Sequence, residues 1–311
     1  MSSPNPTLVD IGTHSLALYT HGPSPSTPAD PVLLFLPGLS SSTLVWAAIL
    51  RLLPHLRSYT YDRTGYRQSP TSPIAPTAET IALELSQLLA KAEITNPLII
   101  VAHSWAGVIV REFLALSGAE QVAGLVLVDA NHETTVEPLM KFFKAIGPLL
   151  GGLEMWAARG VEANHKLTPE EWKALVEDEG GEKFKAQEKR EDAEYEGSFP
   201  VLRKKELEKR NPLVGDKPVY VIGGTRSWDG KHLYKAAVAK GNGTEEQRRV
   251  AWEAIEGADE ENDRLIGEHL RLSTRGKLVF ARESGHFVQL TEPEIVVDGV
   301  KWVLDELKAS S

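Results

Sequence analysis

The sequence predicts a doubly wound, mostly parallel α/β sheet carrying an inserted helical lid. Three observations predict it. Short apolar segments alternate with amphipathic helical stretches along the chain. Those segments are apolar almost throughout rather than at every second position, as strands buried on both faces of a parallel sheet are. Two long charged stretches, residues 131–216 and 230–275, break the rhythm and offer no strand.

Residues 8–11 and 15–19 read as an opening hairpin around Gly12. Strands follow at 32–36, 58–61, 98–101 and 124–128, with an amphipathic helix at 78–90 and an apolar helix-length run at 108–116. Two later strands are expected at 219–222 and 277–281, and a closing helix at 294–307 turns Ile295, Val296, Val300, Val303 and Leu304 inward. Thr168-Pro169-Glu170-Glu171 is a helix start with capping-box spacing and proline at the first helical position, and Thr244-Glu245-Glu246-Gln247 is a second capping box. The chain therefore divides into a core over 1–130, a helical lid over 131–216 and a second core part over 217–311 with a helical insert at about 230–275. Charge runs such as 183–192 read as solvated helix face. The apolar side of the lid, with Met155, Trp156, Trp172, Leu175 and Phe199, is expected to cover the sheet's C-terminal edge.

Composition narrows the function. A chain of 311 residues fits one large domain or one domain with an insertion, and 42% hydrophobic residues supply its core. The formal net charge of −9 argues against a nucleic-acid or anionic-membrane surface. The absence of cysteine removes disulfides, thiolate metal sites and cysteine nucleophiles together. No apolar run reaches the roughly 18 residues that cross a bilayer. Met1-Ser2-Ser3-Pro4-Asn5-Pro6 shows no basic segment before an apolar one, so a soluble, cytoplasmic protein is expected.

Candidate chemistry centres on Ser104, in Val101-Ala102-His103-Ser104-Trp105-Ala106-Gly107. A strand meeting a helix across so short a junction makes a sharp turn. The hydroxyl is then left near the helix N-terminus, where free N–H groups stabilise developing negative charge. Such a serine is either a nucleophile on an elbow or a plain helix cap. Asp129 closes the next strand, Asp229 lies seven residues past Ile222, and His286 follows the last strand, so the order serine, acid, histidine is available with either aspartate. His103 is expected to point into the sheet packing, and Asp62-Arg63 to pin its loop. Trp105 and Trp228 are candidates for the pocket wall. His132-Glu133 lacks a second ligand pair at helical spacing, so a surface or hinge role is expected there and no metal site.

The chain resembles the α/β-hydrolase superfamily over nearly its whole length. Pro37-Gly38-Leu39 looks like the family's His-Gly oxyanion loop, with Pro37 in place of histidine. Tyr61-Asp62-Arg63-Thr64-Gly65-Tyr66-Arg67-Gln68-Ser69 is similar to its Asp-x-x-Gly-x-Gly-x-Ser loop, with Arg67 at the second glycine. Ser284-Gly285-His286, followed by Gln289 and Pro293-Glu294, looks like its catalytic-histidine segment. The resemblance implies Ser104 as nucleophile, His286 as general base, and the backbone N–H groups of Leu39 and Trp105 as the oxyanion hole. Many relatives place the acid shortly after the seventh strand, where this chain has Gly223-Gly224-Thr225-Arg226. Others place it where Asp129 stands. Asp129 is therefore preferred, with Asp229 as the alternative. The expected activity is a cofactor-free serine hydrolysis of a small apolar ester or lactone. A lyase, cyclase or cofactor-free oxygenase of the same fold is the competing class, and a small-molecule receptor a third.

Overall fold

The computed structural model describes residues 5–309. Four of the six N-terminal residues considered above for a leader, 1–4, lie outside them. Eight strands are present: β1 (Thr7–Asp10), β2 (Ser15–His21), β3 (Val32–Leu36), β4 (Ser58–Asp62), β5 (Leu98–His103), β6 (Val122–Val128), β7 (Val219–Gly224) and β8 (Gly276–Ala281). They form one sheet in the order β1-β2-β4-β3-β5-β6-β7-β8. β2 runs antiparallel to β1 and β4, and every later pairing is parallel. The chain moves outward from β3 in both directions, β4 on one side and β5 to β8 on the other. Loops leaving the C-terminal ends of β3 and β5 therefore diverge around a crevice, the usual ligand position in open α/β sheets.

Every residue of β3, β5 and β7 is buried, as their unbroken apolar composition predicts. Successive side chains point to opposite faces. Leu34, Ile100 and Leu125 pack with Leu88 and Phe113 of the helices Ala78–Lys91 and Ala106–Ser117. Leu33, Ile99 and Val126 pack with Val296 and Val300 of the closing helix Pro293–Ala309 on the other face. Both faces of the central strands are thus covered by helices.

Between β6 and β7 the chain is helical, with Val136–Ile146, Pro169–Gly180 and the long Glu182–Arg203 as its main pieces. Both predicted capping boxes form, at Thr168 and Thr244. Two differences from the sequence reading matter. The helix after β7 spans Arg226–Lys240 and so starts before residue 230, because Asp259 accepts from the Ser227 N–H and caps its first turn. Asp229 therefore sits on a helix, not in a loop. Secondly, Glu182–Arg203 is not simply a solvated charged face: Gln187 and Glu191 are buried along with Phe184, Tyr195 and Phe199. Within this stretch Leu175 and Phe199 are fully buried, whereas Met155 is exposed.

Candidate active site

The β5–helix junction holds Ser104 at φ 56°, a left-handed conformation that a serine adopts only when its surroundings impose it. Here they do. Ser104 N–H donates to Val128 O, and Ser104 O accepts from both Gly107 N–H and Asn131 N–H. Alanine at 106 is tolerated because the close approach falls at the next residue. A Cβ on Gly107 would lie 2.3 Å from Asn131 O. Gly107 is therefore where the loop after β6 touches the elbow. On the opposite side a Cβ on Gly38 would lie 2.8 Å from Ser104 Cβ, so the loop after β3 also packs directly on the serine.

Asp129 leaves β6 at φ 40°. Its Oδ1 accepts from Gly224 N–H at 3.0 Å and its Oδ2 from His286 Nδ1–H at 2.6 Å. Burial pushes the carboxyl pKa up. The His286 hydrogen bond and charge, with Arg226 and the Gly224 N–H, outweigh burial and bring it down to about 2. With Nδ1 donating to a carboxylate, Nε2 of His286 carries the lone pair. Asp229 reaches the same residue differently: its Oδ2 accepts the His286 backbone N–H at 2.8 Å. The two aspartates thus divide the histidine between them, Asp129 on the ring and Asp229 on the peptide. Gly285 is required beside them, since a Cβ there would lie 2.1 Å from Asp229 Oδ1.

His103 lies under this pair. Its Nε2–H donates to His286 O at 2.9 Å, and the two rings stand 4.5 Å apart. Burial and the neighbouring imidazole lower its pKa to about 3, so it stays neutral. Ser104, Asp129 and His286 line a single cavity of about 200 Å³ together with Leu39. Ser104 and His286 share no hydrogen bond in this structure. Catalytic hydrogen bonds are often long before substrate binds. Leu139, Phe142, Phe143, Leu233 and Phe287 make the wall apolar, and Arg159 and Arg226 add charge to it. A larger open depression of about 460 Å³ at β1 and β2 holds neither Ser104 nor a histidine.

Residues 33–299 match the Alpha/beta hydrolase family. The chain belongs to the alpha/beta hydrolase family. It is 30% identical over 298 residues to an "AB hydrolase superfamily protein" of Gibberella zeae, covering 93% of this chain and 91% of that one. It is 32% identical over 315 residues to a Hormonema carpetanum protein named "Probable transporter efuK". That match covers 97% of this chain but only 43% of the relative's own length. The crystal structure of lip1 from Acinetobacter baumannii AYE superposes with a TM-score of 0.68 at 15% identity, over 98% of this chain and 92% of that one. Among the described residues no helix is long and apolar enough to cross a membrane, and no cluster of three metal-ligating side chains occurs.

Several placements in this chain differ from expectation. His132 is buried rather than at the surface, its Nε2 bonded to Leu265 O, while Glu133 pairs with the buried Arg111. Trp105 has its ring in the core, with Nε1–H donating to Ser198, and Trp228 packs on His232. Neither belongs to the cavity wall. Among the described residues the backbone N–H groups of Leu39 and Trp105 donate to no protein acceptor.

Asp62 does pin its loop, accepting from Tyr19 OH, Thr43 Oγ1 and Gln68 N–H. Arg67 occupies the glycine position of that loop at φ 37° and pairs with the same carboxylate. Arg63 does something sequence reasoning missed. Its Nη1 and Nη2 donate to Pro37 O and Gly38 O at 2.8 Å each, while Nε and Nη2 grip Glu191. Glu191 also accepts from Ser40 N–H and Tyr66 OH. One fully buried carboxylate on the long inserted helix therefore holds the whole 37–40 loop. The signal available in sequence was Glu191's place at helical spacing between Gln187 and Tyr195, on the buried face.

Proposed function

We propose that this hydrolase cleaves a carboxylic ester or lactone of a small, largely apolar molecule through an acyl-enzyme on Ser104. The observation that carries this reading is the convergence in one apolar cavity of a strained elbow serine and an imidazole whose far nitrogen is bonded to a buried, ionised aspartate. In this mechanism Ser104 Oγ attacks the acyl carbon as His286 Nε2 takes its proton. Asp129 fixes the tautomer and stabilises the imidazolium. The carbonyl oxygen becomes an oxyanion that accepts from the Leu39 and Trp105 N–H groups, which have no other partner to give up. His286 then protonates the leaving oxygen, and water attacks the acyl-enzyme by the same route in reverse. Each proton moves between groups of the chain, substrate and water, so no cofactor is required. The helices of 131–216 act as a lid, since Leu139, Phe142 and Phe143 of Val136–Ile146 supply much of the apolar wall.

The test is a screen of graded-chain esters and lactones with wild type and Ser104→Ala, alongside fluorophosphonate labelling. Turnover that falls by about 10³-fold or more in the variant, with labelling confined to Ser104, is the expected result. Equal rates in the two chains, or no labelling, would remove the reading.

A further inference from the structure

Arg159 has no carboxylate or hydrogen-bond acceptor among the described residues, although its Nε is shut off from solvent. It lines the same cavity as Ser104 and His286, with its guanidinium 5.4 Å from the Phe287 ring centre. The buried arginines Arg63 and Arg111 are paired, with Glu191 and Glu133, whereas the half-buried Arg159 is not. Arg159 is half-buried, its Nε unpaired and shut off from solvent, so its guanidinium is left with donors that a ligand in the cavity can complete. Its place is built into the fold. Arg159 N–H donates to Met155 O, closing the short helix Met155–Ala158, and Gly160 turns away at φ 75° against His232.

The cavity's other charges leave that role open. Asp129 is committed to His286 and Gly224, and Asp229 accepts the His286 N–H at Oδ2, while its Oδ1, buried beside Gly285, has no hydrogen-bond partner. Arg226 is held on the neutral Asn262 amide oxygen and lies over Phe142. Two guanidiniums, each over a ring of the wall, therefore share the cavity with two carboxylates, and of the two guanidiniums only Arg159 has no hydrogen-bond acceptor among the described residues.

We propose that Arg159 is a substrate-binding residue for a carboxylate, so that the ester or lactone turned over here carries a free carboxylate group on its apolar skeleton. This rests on the serine-hydrolase reading above for the reaction itself, but the subsite stands on Arg159 alone. A planar guanidinium accepts a carboxylate through paired N–H···O bonds, a geometry that lysine does not reproduce.

The test compares kcat/KM for mono-4-nitrophenyl glutarate, an anionic half-ester, with that for 4-nitrophenyl hexanoate, a neutral ester of similar length. The anion-to-neutral ratio is expected to exceed one in wild type and to fall about tenfold or more in Arg159→Met, with Arg159→Lys between. A ratio unchanged by Arg159→Met overturns the subsite and leaves the serine reading standing. So does a ratio that collapses only in Arg226→Met. If neither ester is hydrolysed, glutarate binding to Ser104→Ala by calorimetry decides the subsite, while the labelling above decides the serine reading. Binding that is lost on adding Arg159→Met supports it, and no binding overturns it.

Discussion

At the scale of single residues, the two aspartates that the sequence offers, Asp129 preferred and Asp229 the alternative, occupy unequal positions. Asp129 and Asp229 both follow strands, and nothing in their spacing separates them. The distinction is made by the backbone: Asp129 turns out of β6 in a left-handed conformation beside Gly224, which aims its carboxylate at the imidazole. Asp229 instead rides the first turn of a helix and meets only the peptide of His286. Asp129→Asn is expected to lower kcat by about 10³- to 10⁴-fold, because an amide stabilises the wrong tautomer and cannot balance an imidazolium. Asp229→Asn is expected to cost about tenfold or less, since an amide oxygen still accepts the same N–H. Steady-state kinetics on both variants checks the pair, and similar losses from the two would mean that the ring has a different partner during turnover.

At the scale of elements, the strands and helices were legible because periodicity and caps are local. β3 and β5 read directly as strands, and both capping boxes formed where Thr168 and Thr244 announced them. Glu191 was not legible, because a carboxylate within a run of charges looks solvated until the guanidinium that faces it, 128 positions earlier, is known. Removing its charge leaves Arg63 buried and unpaired, so Glu191→Gln should destabilise the fold by about 3–5 kcal/mol in urea denaturation. The activity readout separates support from positioning. The double variant Arg63→Met/Glu191→Leu should recover much of the stability, yet keep a depressed kcat with little change in KM. The carbonyls of Pro37 and Gly38 then have no donor to hold the Leu39 N–H in place.

At the scale of the whole molecule, the doubly wound sheet was predictable because its central strands are apolar on both faces, and the net charge and lack of cysteine bounded the chemistry from outside. The shape of the cavity was not predictable, since residues from 39 to 287 line it and no local pattern links them. Its electrostatics also bear on global stability. The Asp129 pKa is about 2 in the folded chain, against 3.8 when unperturbed. Its contribution is complete above pH about 4 and is lost as pH falls from about 4 to about 2, on the order of 2 kcal/mol. Stability measured by denaturant titration across that window should fall less steeply in Asp129→Asn than in wild type. Identical slopes would show that the carboxylate is not held ionised by the fold.

The grip of Glu191 on the 37–40 loop constrains how this scaffold can change its substrate. Caps on such a sheet look interchangeable, as if a new roof could be set on old walls. Here the roof carries a tie-beam. Any foreign segment replacing residues 131–216 must bring a carboxylate to the same spot, or the recipient must surrender Arg63 and find another brace for the backbone beneath it.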